Sequence, residues 1–408
     1  MAIVATGDDL VTPILQPGWT VVSDGFGLNT STSVFKGDTT TDVDAFLVKG
    51  TDHPDAAYSY LKLDKWRISW DSLNVCTITV DYDKLGGECL NFGGSARLGD
   101  GAHFVVEGDE YDTAFFDKRS KFVHYLPEVA IVNNLELDHA DIFADVAAVQ
   151  KSFSHLIRLI PRNGLLLGNG DDPNLAPLLN VTHCPVKRFG LNESNAVRAF
   201  NLQLGATASA FEIPSCRFQV NLVGELNVRN ALAVVGAAKH CGISNKQIQT
   251  AFDTFKSVKR RMEVRGVAGG VTVVDDFGHH PTAIRETLKA LRIKYPTQKL
   301  WAVFEPRTQS TRRNVFQNDF PTAFGEADEV IIAEVAFANV LAAEERLDTG
   351  KLEADLRAKG KRARFLPDVD TIVRHLGELA QGGDVICVFT NGGFGNIHAK
   401  LLERLARR

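Results

Sequence analysis

Residues 270–288, GVTVVDDFGHHPTAIRETL, decide how this chain is read. Val271, Val273 and Val274 make a β-branched, apolar run that reads as a strand, and the run stops at two carboxylates, Asp275 and Asp276. Gly278 permits a tight turn, and the pattern after Pro281 predicts a helix from Thr282 to Tyr295. A strand that feeds a helix within a few residues is the repeating unit of an α/β sheet. Backbone N–H groups at such a helix start favour a phosphate or a carboxylate. Taken alone, the DD and HHP strings also describe a capped helix start that binds nothing.

Working outward, the same alternation holds from Gly86 to the carboxyl terminus. EVAIVNNL is a continuous apolar strand beginning at Glu128. In DVAAVQKSFSHLIRLI, Val146, Val149, Phe153, Leu156, Ile157 and Ile160 recur at helical spacing and form one core-facing stripe. NVRNALAVVGAAKHCG reads as a helix ended by Gly242. After FDTFKSVKRRMEVRG the alternation restarts, which places a second α/β domain from about Lys259. Residues 1–85 differ: short runs such as WTVVSDGF and CTITVDYD, punctuated by Gly, Asp and Pro, give a β-rich pattern. The expected domains are therefore 1–85, 86–258 and 259–408.

Composition narrows the function. With 408 residues, 44% hydrophobic and 23% charged, the chain has the makeup of an ordinary globular protein. A net charge of -5 supplies no basic field for nucleic acid or an anionic membrane. The six cysteines are scattered, without C-x-x-C or zinc-ligand spacing. No run approaches the roughly 18 apolar residues of a membrane span, and no signal-peptide pattern opens the sequence. These features predict a cytoplasmic protein with reduced thiols.

Three further polar clusters follow strands. In HFVVEGDEYDTAFFDKRS, residues 103–120, an apolar segment runs into Glu107, Asp109, Glu110 and Asp112. Four carboxylates there read either as a solvated acidic turn or as a divalent-metal wall at the carboxyl end of a strand, where open α/β sheets bind ligands. VNNLELDHADIF, residues 132–143, adds His139. A carboxylate and an imidazole suit a magnesium ion held mainly by water and phosphate oxygens. TNGGFGNIH, residues 390–398, is a glycine turn that lets backbone approach a ligand, a weak signal by itself.

The ordered strings LNFGGSARLG, EGDEYDTAFFDKRSKF, NNLELDHADIF, NGDDPN, GELNVRNALA, KRRMEVRG, DDFGHHPTAI, FEPR and TNGGFGNIH resemble the Mur ligases over residues 86–408. Within that family, EYDTAFFDKRSKF and the glycine turn favour the branch acting on a murein tripeptide over the alanine-adding branch. The resemblance implies a fold: an incomplete central parallel sheet of P-loop-NTPase type, then a Rossmann-like α/β domain, both after the β-rich segment. It also implies an ATP-dependent amide ligase of peptidoglycan recycling, with Mg2+ and ATP. Its small-molecule substrates are UDP-N-acetylmuramate and L-Ala-γ-D-Glu-meso-diaminopimelate, joined through an acyl phosphate. By the same resemblance Glu107 and His139 ligate magnesium, and Asn227 and Asn230 lie on the adenine-contacting helix. Arg261, Asp276 and His279 act on ATP, and Arg307 and Asn391 face the incoming peptide.

The chain departs from the family in three places. No G-x-x-x-x-G-K-[ST] phosphate loop occurs, and the nearest string, FKGDTTTD at residues 35–42, carries Asp38 where a lysine belongs. Leu226 replaces the histidine of the family pattern G-x-H-N-x-x-N, and Gly108 replaces a common alanine. Without the loop's strand, the central sheet is expected to show apolar surface or an unpaired edge. A fused accessory module, a hybrid gene model and a decayed ligase each account for residues 1–85. The last also predicts binding without turnover, with a structural or carbohydrate-binding front segment.

Overall fold

The structure, a computed structural model, describes residues 2–5, 87–97, 101–114 and 117–408. The β-rich reading of 1–85 lies outside the described residues except for Ala2–Ala5. The chain forms two compact units, residues 1–135 with 150–188 and residues 136–149 with 189–408.

The first unit carries β1 (Ala2–Ala5), β2 (Phe104–Glu107), the hairpin β3 (Asp112–Ala114) and β4 (Asp117–Ser120), then β5 (Val129–Val132), β6 (Leu165–Asn169) and β7 (Val186–Gly190), which runs on into the second unit. Within this unit the strands of the sheet run in the order β2-β1-β5-β6-β7. Every residue of β5 and β6 is buried, as the apolar runs require of parallel strands covered on both faces. On α1 (Val146–Leu159), Val149, Phe153, Leu156 and Ile157 are buried, and the Phe153 ring centroid lies 5.0 Å from that of Phe122.

The missing strand's place is taken by β1, which fills the gap between β2 and β5 and leaves β2 at the edge among the described residues. Ala2–Ala5 pairs antiparallel with β2 on one side and with β5 on the other, Ala2 standing opposite both Glu107 and Ile131. Unpaired ladder groups accept any extended backbone, whatever its direction. β2 and β5 therefore point the same way, and β1 delivers its carboxyl end beside Phe104, away from Glu107. The cluster after β2 is also compensated within the protein: Asp109 accepts from the buried Lys121 ammonium at 2.8 Å and from the Tyr111 N–H at 2.9 Å, and Lys118 pairs with Asp112 at 2.6 Å.

Gly168 in β6 has no room for a side chain, since a Cβ there would lie 2.2 Å from a Leu179 methyl. Gly168→Ala is expected to destabilise the first unit by about 1–3 kcal/mol, the usual cost of overpacking. Faster amide exchange along β6 would register it, and unchanged exchange would refute it.

The second unit opens with β8 (Val197–Arg198) and an antiparallel sheet of β9 (Phe200–Leu204), β10 (Ser209–Ile213) and β11 (Cys216–Val220). Two helices follow, α2 (Glu225–His240) and α3 (Asn245–Thr254), the latter entered through a Ser244–Gln247 capping box. Gly242 has φ +76°, the left-handed conformation that closes the turn after α2.

Next come β12 (Glu263–Ala268), β13 (Val271–Asp276), α4 (Pro281–Lys294), β14 (Leu300–Phe304), α5 (Phe320–Ala323), β15 (Glu329–Ile332), α6 (Thr349–Ala358), β16 (Arg362–Phe365), α7 (Val369–Leu379), β17 (Val385–Phe389) and α8 (Ile397–Ala406). Proline at the first turn starts α4 at Pro281, one residue before the sequence expectation. The sheet order is β12-β13-β17-β14-β15-β16, with β12 antiparallel and the rest parallel. Side chains alternate between two cores: Leu300, Ala302 and Phe304 enter one, Trp301 and Val303 the other. The indole N–H of Trp301 reaches Asp384 at 2.9 Å. Among the described residues no helix is long and apolar enough to cross a membrane, and the five described cysteines are free.

Candidate active site at the carboxyl end of the second sheet

Topology sets the site. From β13 the chain passes through α4 to β14, leaving a gap that β17 later fills. Where strand order reverses in this way, loops diverge and leave a crevice outside the carboxyl ends. Asp276, Phe389 and Phe304 stand in register on β13, β17 and β14. The segments that follow them carry His279, Asn391 and Arg307.

Asp276 is almost fully buried and accepts the Gly278 N–H at 2.7 Å and the Met262 N–H at 2.9 Å. Burial raises its pKa above the ordinary carboxylate value, against the pull of Arg261 and the two N–H donors. The guanidinium groups of Arg260 and Arg261 lie 5.0 and 5.7 Å from the Phe277 ring centroid. Arg261 is exposed, whereas Arg260 is tied to Asp275 at 3.2 Å and to the carbonyls of Thr390 and Gly392. Arg260 thus fastens the β13 end to the glycine turn. Burial raises the Asp275 carboxyl, but His398 and Arg260 outweigh it and hold the pKa low.

The segment carrying His139 belongs to the same unit and is locked to the turn before α4. Asp138 faces His279 Nε2 at 3.3 Å and accepts from the Ser310 hydroxyl at 2.7 Å. Burial pushes its carboxyl up, but His279, His139 and Ser310 overcome this and hold it well below the carboxylate range. His279 Nδ1 meets the Phe277 carbonyl at 3.1 Å, so both its ring nitrogens face oxygen acceptors. His280 differs: its Nδ1 accepts the Thr282 N–H at 3.2 Å and its Nε2 meets the Leu137 carbonyl at 3.2 Å, which specifies a neutral ring. Burial lowers its pKa in agreement. The Thr282 hydroxyl donates to Glu136 at 2.5 Å. His139 itself sits at φ +51°.

Arg307 is held by Glu305 at 3.4 Å, and Glu305 also accepts the Thr390 hydroxyl. The Thr390 oxygen in turn accepts the Gly392 N–H at 3.0 Å. A Cβ at 392 would fall 2.2 Å from Arg307 Nε, so a side chain there must push the guanidinium aside. The amide oxygen of Asn391 is buried without a hydrogen-bond partner, an acceptor left for a ligand donor. We expect Gly392→Ala to displace Arg307 and raise KM for the amine substrate on the order of 10-fold, the loss of one hydrogen bond to a charged group. Steady-state kinetics check this, and an unchanged KM would place Arg307 outside the binding site.

Asn227 and Asn230 lie in the first two turns of α2, both half-buried, and the Asn227 amide donates to the Val223 carbonyl at 2.8 Å. Leu226 is exposed beside them. The second unit thus brings Arg261, Asp276, His279, Arg307 and Asn391 to one sheet end and carries His139, Asn227 and Asn230 as well. Glu107, exposed at the end of β2, belongs to the first unit. Sequence reasoning did not single out Arg260, Glu305, Thr390, Thr282 or Ser310. The string FEPR hinted at Glu305, and nothing local marked Ser310.

Residues 96–238 match the Mur ligase middle domain, and residues 260–392 match the Mur ligase, glutamate ligase domain. The chain is 42% identical over 330 residues to the UDP-N-acetylmuramate–L-alanyl-γ-D-glutamyl-meso-2,6-diaminoheptandioate ligase of Escherichia coli (strain K12), covering 79% of this chain and 69% of that protein. The Haemophilus influenzae protein of the same name is 36% identical, with 88% and 80% covered. Among solved structures, a murein peptide ligase from Psychrobacter arcticus 273-4 superposes with a TM-score of 0.55 at 33% identity, over 74% of this chain and 62% of that one. A UDP-N-acetylmuramate–alanine ligase from Thermotoga maritima, at 20% identity, shares the fold with a TM-score of 0.59, over 76% of this chain and 65% of that one. With both domains matched in one sequence and 42% identity to such a ligase over 79% of that sequence, the chain belongs to the Mur ligase family of ATP-dependent amide ligases.

Proposed function

We propose that this chain joins UDP-N-acetylmuramate to L-alanyl-γ-D-glutamyl-meso-diaminopimelate in peptidoglycan recycling, in the cytoplasm, with residues 86–258 and 259–408 as its two working domains. The observation that carries this reading is the 42% identity over 79% of the chain to a ligase of that name. In the reaction, a carboxylate oxygen of the muramate attacks the γ-phosphorus of ATP and ADP leaves. The peptide amine then attacks the acyl carbon, and inorganic phosphate departs with its bonding pair as the amine loses a proton.

Glu107 and His139 are our proposed magnesium ligands. An oxygen and an imidazole donor suit a hard cation that takes its remaining ligands from water and phosphate. When bound, magnesium offsets the charge on the transferring phosphoryl group. Asp138 is not the ligand we choose, because its two oxygens are occupied by His279 and Ser310. Asn227 and Asn230 are assigned to the adenine, and Arg261, Asp276 and His279 to the ATP side. Arg307 and Asn391 are assigned to the peptide, Arg307 offering a cation to a carboxylate and Asn391 its buried oxygen to a donor.

Magnesium-dependent phosphate release should require both muramate nucleotide and tripeptide; no release with all three substrates present would sink the reading. One observation favours a second reading, a remnant that keeps the peptide pocket but does not cradle ATP and so binds without turnover: no G-x-x-x-x-G-K-[ST] occurs in the sequence. Tight Mg-ATP binding by calorimetry would count against it.

A further inference from the structure

Arg312 is only 6% exposed, yet it forms no ion pair among the described residues. Its Nη2 donates to the Gln309 amide oxygen at 2.5 Å, and its Nε is buried with no partner. The other charges facing it are mostly of its own sign. Burial first, then repulsion from Arg313 and Arg307, lowers its pKa, with Asp141 alone pulling the other way. Arg313 is spoken for by Glu345 at 3.0 Å, and Arg307 by Glu305. A buried cation without a paired counter-charge costs stability, so an anion that docked beside it would recover part of that cost.

The surroundings indicate which anion. The Phe337 ring has the Arg307 guanidinium carbon 5.0 Å from its centroid and that of Arg312 at 5.8 Å, so one ring serves two cations. Phe337 is 53% exposed and takes φ +54°, ψ +41°, a conformation that disfavours a bulky side chain. Such strain persists where the surroundings enforce it, and here the Ala336 N–H donates to the Pro306 carbonyl at 2.9 Å, tying the loop after β15 to the segment before Arg307. Planar guanidinium donors fit the plane of a carboxylate, and the exposed ring offers apolar surface to an aliphatic stem.

We infer that Arg312 and Phe337 form, with Arg307, a seat for a free carboxylate of the amine-bearing peptide, so that they select acidic peptides over amidated ones. The seat rests on the reading of the peptide as second substrate, but it is measured by binding and not by turnover. Calorimetry on the full chain should compare the tripeptide with the same tripeptide amidated at every carboxylate. In the unmodified protein, amidation is expected to weaken binding by roughly 10- to 100-fold, as for one hydrogen bond to a charged group. Arg312→Met should bind the free acid as weakly as the amide, with Arg312→Lys falling between, because an ammonium cannot reproduce the planar fork.

Stability separates this from a structural role. Removing an unpaired buried charge should leave the melting temperature of Arg312→Met equal to or above that of the parent. A marked fall in melting temperature overturns the seat, as does equal binding of acid and amide by the parent, continued discrimination by Arg312→Met, or failure to bind the peptide at all. Inorganic phosphate that competes with the peptide only in the parent supports a general anion seat at the same residues. Absence of phosphate release alongside acid-selective peptide binding removes the ligase reading and leaves the seat standing.

Discussion

Asp276→Ala is expected to cost about 2–4 kcal/mol, because it leaves two N–H donors, those of Met262 and Gly278, without their acceptor in a dry site. Met262 has φ +50° and Arg260 φ +58°, so the loop entering β12 depends on this carboxylate to hold a conformation it would not otherwise keep. Displacing that loop moves Arg260 and Arg261 together, and turnover should drop on the order of 100-fold, the usual penalty for a small misplacement of positioning groups. Amide exchange at Met262 and Gly278 reads the first effect and phosphate release the second. Asp276→Asn keeps one acceptor and should recover part of both. The sign with pH is fixed: the folded pKa is raised by burial, so ionisation costs stability as pH climbs from the ordinary carboxylate value through the raised one. The stability of the parent relative to Asp276→Asn should therefore fall in that direction. A constant difference would mean the buried carboxyl does not titrate as described.

His139→Ala and Glu107→Ala should each weaken Mg-ATP binding by about 100-fold or more, since even the outer partners of a metal ligand are worth up to that much. Magnesium-free nucleotide binding should change little. The histidine is the sharper test. It stands at φ +51°, a region histidine visits more readily than most residues, and its neighbour Asp138 is fixed by His279 and Ser310. The imidazole can therefore be removed while the segment stays anchored. Calorimetry with and without magnesium measures both variants, and parental magnesium dependence in both would void the assignment.

Much of the second unit was legible in the sequence. Strands that end in DD, EPR and TNGG are followed by turns and helical spacing, and topology brings such ends together at a sheet reversal. The strand ends at Asp276 and at the turn carrying Asn391 could be picked out for that reason, whereas the roles given to Asp276, His279, Arg307 and Asn391 came from the family resemblance. Their locks could not be picked out. Ser310 and Asp138 are 172 positions apart, and His279 and Asp138 are 141 apart, and neither pairing leaves a periodic trace. Lys121 was overlooked as the partner of Asp109 for the same reason. Nothing in the sequence marked Arg312, whose ring contact comes from Phe337 in the loop after β15 and not from a neighbour in the chain. β1 escaped notice because four residues are too few for alternation to be distinguished from chance.

The reversed direction of that short strand bears on how the protein should be handled. Ala2 stands beside Glu107, so anything attached ahead of it, an affinity tag included, is delivered to the edge where the strands of the first sheet finish. Purification handles for the magnesium and nucleotide titrations should therefore not precede Ala2, where they would add histidines or carboxylates next to the residue under study.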